Sequence, residues 1–221
     1  MNLEQARVNM IEQQIRTWDV LNNQVLQTLV AVRREAFVPA AYQSLAFVDT
    51  EIPLPGGENM LSPKLEARLL QEAAIGEHES VLEIGAGSGY MAALMAHHAR
   101  HVTTVEIHPE LKQLAEKNLS NYGVANVNVE LGNGAHGWTG TGSRAAPWDV
   151  MMISGALPVL PHAFLEQMRI GGRLLAVIGE APAMSACLIT RTTEDAWDKR
   201  ILFETCIKLL HDAETPSAFH F

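Results

Sequence analysis

The residues best placed to do chemistry sit in one short run, Val81-Leu82-Glu83-Ile84-Gly85-Ala86-Gly87-Ser88-Gly89-Tyr90. An apolar strand carries an acid, Glu83, and ends in glycine at every second position. Glycine lets a backbone approach a ligand closely and tolerates positive φ. The helical segment Met91–Ala96 follows, and its N-terminus directs unpaired N–H groups at the same place. A dinucleotide fingerprint needs glycine at its first, third and sixth positions; counted from Gly85, the sixth is Tyr90, so it fails. No Gly-Lys-Ser/Thr follows to make a phosphate-cradling loop. What remains is Glu-x-Gly-x-Gly-x-Gly. The next strand, His101–Val105, ends at Glu106, an acid suited to accept from two ribose hydroxyls. The third, Val127–Leu131, ends in Gly132-Asn133-Gly134, where the Asn133 amide can read the edge of an adenine ring.

Alternating helices and strands must position these groups. Leu3 to about Thr17 has helical spacing along Leu3, Ala6, Met10, Ile11 and Ile15, and Asn22 or Asn23 can cap a second helix. Residues from Phe47 to Met60 hold Pro53, Pro55, Gly56 and Gly57 and are expected to be irregular. A helix follows from Pro63 to about Ala74, with Ser62 at its N-cap. Beyond the glycine turn come a helix over 109–122 and an apolar strand over 148–153. A short helix over 164–168 is stopped by Gly171-Gly172, and a strand follows over 173–178. Strands over 185–190 and 201–210, joined by a charged turn, read as an antiparallel pair. The expected fold is α/β: a doubly wound, mostly parallel seven-stranded Rossmann-like sheet with an antiparallel C-terminal strand and an N-terminal helical extension. Residues 1–75 would form that extension with a substrate-side loop, and 76–221 the cofactor domain, in one compact unit.

Composition narrows the partners. With 16 basic and 25 acidic residues the formal charge is −9, a poor match to nucleic acid. Arg33-Arg34 reads as a solvated helix end. Cys187 and Cys206 are too few for a disulfide framework and read as buried small hydrophobes. The N-terminus lacks the pattern of a signal peptide, and no apolar run reaches membrane-spanning length, so the expected location is the cytoplasm with no membrane partner. His97 and His101 sit four apart, but imidazoles near a helix end complement its dipole, and no metal is expected. Ser154 lacks the Gly-x-Ser-x-Gly frame of a hydrolase nucleophile.

The three-part layout resembles the class I S-adenosylmethionine-dependent methyltransferases. The flanks are similar to one branch, the protein-L-isoaspartate O-methyltransferases. They include Asn9-Met10-Ile11-Glu12-Gln13-Gln14-Ile15, Arg33-Arg34-Glu35-Ala36-Phe37-Val38-Pro39, Ala46-Phe47-Val48-Asp49 and the Asp149–Pro158 run with Gly171-Gly172-Arg173-Leu174. The resemblance covers about residues 7 to 180. It implies that Glu83, Gly85, Ala86, Gly87, Ser88 and Gly89 hold the methionine end of S-adenosylmethionine. It implies further that Glu106 takes the ribose, and that Gly132, Asn133 and Gly134 meet the adenine. Asn133 replaces an acid there. Ser62 stands for the family serine that orients the acceptor carboxylate, and Asp49 shapes the substrate loop or bonds its own backbone. The implied reaction methylates L-isoaspartyl carboxylates in damaged proteins, with a protein or peptide as partner and no assigned oligomeric state. Met60 replaces the threonine of the family's Thr-Ile-Ser, and the tail beyond Thr190 diverges. Those departures motivate two other readings: a methyltransferase acting on a different acceptor, or a non-enzymatic S-adenosylmethionine-binding protein.

Overall fold

Hydrophobic runs of strand length alternate with amphipathic helices along most of the chain, and in the computed structural model they form a single central sheet. The structure describes residues 2–142 and 144–215. Its strands are β1 (Ser80–Ile84), β2 (His101–Glu106), β3 (Val127–Leu131), β4 (Trp148–Leu157), β5 (Met168–Glu180), β6 (Ala183–Arg191) and β7 (Trp197–Thr205). Their order is β7-β6-β5-β4-β1-β2-β3. The pairs among β5, β4, β1, β2 and β3 are parallel, and β6 is antiparallel to both neighbours. The strand that runs against the rest is therefore the sixth, and β7 closes the edge. The chain reverses its direction of winding between β1 and β4, which leaves a crevice beyond their carboxyl ends.

Helices α1 (Leu3–Met10), α2 (Asn23–Ala31), α3 (Pro63–Ala73), α4 (Tyr90–Ala96), α5 (Pro109–Tyr122) and α6 (His162–Glu166) cover the sheet. One apolar core runs from Met10, Ile15 and Leu29 through Leu69 and Leu94 to Val150 and Val177. The opposite face is sealed by Leu82, Trp148, Phe164 and Leu174. α4 is buried along its whole length, which its Met-Ala-Ala-Leu-Met-Ala sequence permits.

Several expectations are corrected. The first helical run reaches Trp18 unbroken, as expected, but it changes type: α1 gives way at Ile11 to a wider π-type turn and then to a 3-10 turn, and it stops at Asp19 with φ 60°. The Phe47–Met60 stretch is partly ordered by a short antiparallel pair, Ile52–Pro53 with Asn59–Met60. Gly171-Gly172 does not end a helix. α6 ends by Gln167, and the glycines lie within β5, where a side chain on Gly172 would meet the carbonyl oxygens of Arg169, Trp148 and Asp149. The final strand spans Trp197–Thr205 rather than reaching Leu210. Cys206 is exposed, although Cys187 is buried. His97 lies beyond α4 and His101 on β2, so they share no helix face.

Arg34 overturns the reading of a solvated pair. Arg33 is exposed, but Arg34 is buried, paired with Glu66 of α3 and stacked over the Tyr90 ring. Its second nitrogen donates to the Leu61 carbonyl at 2.8 Å. It therefore ties α3 to the segment that carries Ser62. Arg34→Ala strands a buried carboxylate and an unmet carbonyl, a change that typically costs about 3–5 kcal/mol. Chemical denaturation at pH 7 should show that loss.

Candidate functional site

The crevice at the β1/β4 switch holds an open cavity of about 720 Å³ and, beside it, one of about 310 Å³. Asn59, Leu61, Gly85, Gly87 and Ser154 line both. That size suits a nucleoside-type ligand.

Gly85, Gly87 and Gly89 all take positive φ (95°, 52° and 84°), as close passage of the backbone requires. The turn is closed by Gly89 N–H donating to the Ala86 carbonyl at 2.8 Å. Ala86 and Ser88 are buried beneath it, and the Ser88 carbonyl accepts from Asn118 of α5.

Glu83 lies inside β1 and is buried. Its two oxygens accept from the hydroxyls of Thr104 (2.6 Å) and Ser154 (3.0 Å). Burial pushes this carboxyl up to about 8, although both hydroxyls pull it down. Ser154, set aside as a nucleophile from sequence, is instead a hydrogen-bond donor to Glu83.

Glu106 closes β2, and its carboxylate is fixed by two backbone donors, Gly87 N–H at 2.9 Å and His108 N–H at 3.0 Å. One of those donors belongs to the glycine turn, so the turn and the acid are built as a unit. Gly132, Asn133 and Gly134 follow β3 and line the larger cavity. A Cβ on Gly134 would collide with the Ile84 side chain at 2.7 Å, which explains that glycine by close packing. The Asn133 amide is already engaged: its oxygen accepts from Ala135 N–H at 3.0 Å, and its nitrogen donates to Asp212 at 2.9 Å. One amide N–H and one lone pair of the oxygen remain free for a purine edge.

Ser62 is half-buried at the start of α3 and does not line either cavity. Its side chain makes no capping hydrogen bond; only its carbonyl joins the helix, accepting from Glu66 N–H at 3.1 Å. The expected side-chain cap is therefore not formed. Asp49 pairs with Lys64 at 2.6 Å rather than bonding its own backbone. Met60 is buried and faces the smaller cavity.

The part of the site that sequence reasoning missed is the tail. After β7 the chain leaves the sheet and crosses the end of β4: Ala156 N–H donates to the Lys208 carbonyl at 2.9 Å, and Leu210 N–H donates to the Ala156 carbonyl at 2.8 Å. Lys208, Leu209, Leu210 and His211 then wall the larger cavity. The Lys208 ammonium reaches the Gly57 carbonyl (2.9 Å) and Glu58 (2.6 Å) across the opening. No glycine pattern or charge run signals this crossing.

A glycine turn, an acid at the tip of the next strand and a cavity over the carboxyl edge of a parallel sheet together define a Rossmann-like protein of the methyltransferase class. The profile of the family Protein-L-isoaspartate(D-aspartate) O-methyltransferase (PCMT) matches residues 5–207, and the chain belongs to that family. A Protein-L-isoaspartate O-methyltransferase of Herpetosiphon aurantiacus is 36% identical over 196 residues, covering 89% of this chain and 85% of its own. One from Brucella anthropi is 33% identical over 202 residues, covering 91% of each. The fold matches a Plasmodium falciparum protein-L-isoaspartate O-methyltransferase crystallised with S-adenosyl-L-homocysteine, with a TM-score of 0.78, 17% identity, and coverage of 95% and 98% of the two chains. By family, then, this is an S-adenosylmethionine-dependent O-methyltransferase. Among the described residues no helix is long and apolar enough to cross a membrane.

Proposed function

We propose that this protein methylates the carboxylate of L-isoaspartyl residues in proteins or peptides, with S-adenosylmethionine held along the carboxyl ends of β1, β2 and β3. The observation that carries the reading is the buried Glu83 carboxyl beneath the glycine turn. Its partners are two hydroxyls, and no cation pairs with it among the described residues. A buried acid so placed is a fitting counter-charge for an ammonium group. In this reading Glu83, Gly85, Ala86, Gly87, Ser88 and Gly89 hold the methionine end. Glu106 takes the ribose, and Gly132, Asn133 and Gly134 flank the adenine. Residues 1–75 form the acceptor side and 76–221 the donor side; residues 216–221 lie outside the described ones.

When bound, S-adenosylmethionine supplies an activated methyl group on sulfur. The chain itself needs little acid–base chemistry, since a carboxyl acceptor with a pKa near 4 is ionised at pH 7. Its work is to align the acceptor and exclude water, and alignment alone can supply much of the rate. Ser62, next to Leu61 at the cavity wall, is the group this reading gives the role of donating to the acceptor carboxylate and orienting it. A net charge of −9 supports a protein partner over a nucleic acid. The location proposed is the cytoplasm.

Met60 favours a second reading, methyl transfer to a different acceptor, because it puts an apolar wall where the family carries a hydroxyl. One experiment separates the two. The protein is incubated with labelled methyl donor and matched peptides containing isoaspartyl or ordinary aspartyl. Base-labile label in the isoaspartyl peptide alone is the expected result. Donor binding without label in either peptide removes the isoaspartyl assignment.

A further inference from the structure

In the wall of the larger cavity itself, three segments distant in sequence bring metal-ligating side chains together. Glu58 comes from the hairpin after Ile52, His108 from the turn after β2, and His211 from the tail. One donor atom from each lies within 4.8 Å of the others. The His108 Nε2 is 3.9 Å from the nearer Glu58 oxygen, and the His108 and His211 rings are 5.0 Å apart at 83°. We infer that Glu58, His108 and His211 form a binding site for one divalent transition-metal ion of the zinc type.

Two features beyond proximity support this. The His108 Nε2 is buried and has no hydrogen-bond partner, although Glu58 is close by. A buried ring nitrogen left empty is costly unless something fills its lone pair. Moreover, the donor set of two imidazoles and one carboxylate, with an open position, is one that zinc takes. Bonds of about 2.0–2.2 Å put tetrahedral ligand atoms roughly 3.4 Å apart. Small side-chain rotations therefore close the present spacing. Lys208 competes for Glu58, but it is an exposed side chain at the tail surface and can swing away. Glu51 and Glu106 line the same cavity and keep the local field negative. Histidines 97 and 101, the pair that stands out in the sequence, play no part. An ion here would tie the hairpin, the turn and the tail together across the cavity mouth.

The test uses the full chain without methyl donor, so its outcome does not depend on methyl transfer. Co²⁺ is titrated at pH 7.5, read by its visible d–d absorption, and then displaced by Zn²⁺. One equivalent per chain is expected. His211→Ala, which alters an exposed side chain, and His108→Ala should each weaken binding by at least about tenfold. A His97→Ala/His98→Ala variant should bind as the wild type does. Thermal melts of the metal-free variants establish that they fold. The absence of a stoichiometric Co²⁺ complex overturns the assignment. Binding that survives both His108→Ala and His211→Ala, or that is lost with His97 and His98, does the same.

Discussion

Glu83→Gln is expected to weaken binding of S-adenosylmethionine by roughly 10- to 100-fold, the worth of one charged hydrogen bond in a buried site. The same substitution should stabilise the protein at high pH. The sign follows from the carboxyl being raised from 4.5 to about 8 in the folded chain. Below 4.5 both folded and unfolded forms hold the proton, and Glu83 adds no pH dependence. Between 4.5 and 8 folding takes up a proton, so stability falls by about 1.4 kcal/mol for each unit of rising pH. Above 8 the curve is flat. Glu66, pushed up to about 7 by burial against the pull of Arg34, adds a slope of the same sign at lower pH. The wild type minus the variant is therefore the informative quantity. That difference should grow from pH 5 to pH 8 in denaturant melts and then level off. Ligand binding carries a second signature. At pH 7 Glu83 holds a proton that an incoming ammonium must expel, so calorimetry in buffers of different ionisation enthalpy should register proton release in the wild type and none in the variant. Affinity unchanged in Glu83→Gln would sink the assignment of this residue to the methionine end.

Glu106→Leu should have the larger effect on affinity. The carboxylate accepts from Gly87 N–H and His108 N–H. Each oxygen keeps a lone pair for a hydroxyl on the cavity side. Leucine keeps the bulk and removes every one of these acceptors. Two charge-assisted bonds at about 1.5–3 kcal/mol each predict a loss of at least about 100-fold in cofactor affinity. The contact is made equally before and during reaction, so the loss should fall on KM for the methyl donor while kcat at saturation is retained. A dissociation constant within about threefold of the wild type, less than 1 kcal/mol, would exclude Glu106 as the ribose ligand.

The parallel half of the fold was legible because its signals are local. Val81–Ile84, Val127–Leu131 and Trp148–Ile153 are apolar or alternating runs bounded by turn residues, and each became a strand within a few residues of the expected limits. The three positive-φ glycines were readable for the same reason: only glycine adopts that geometry cheaply. What escaped was set by distant partners. Arg34 looked solvated because nothing near it in sequence announces Glu66 or the Leu61 carbonyl. Gly171-Gly172 looked like a helix stop, whereas its constraint is the close approach of the β4 backbone. The tail looked like more strand, since Ile207, Leu209 and Leu210 are apolar. Its departure from the sheet is decided by the β4 end, where Ala156 offers both a donor and an acceptor to Lys208 and Leu210. Asn133 was legible as a residue of the turn after β3, which lines the larger cavity, but its orientation was not, because Asp212 lies 79 residues away.

Residues 208–211 are translated after every strand of the sheet, yet they furnish one wall of the larger cavity. Synthesis from the N-terminus lets the earlier elements collapse first. A nascent chain still lacking this stretch has its glycine turn and both acids in place but an open-sided cleft. In the proposed reading, full grip on the methyl donor is thus deferred until residues 208–211 emerge from the ribosome.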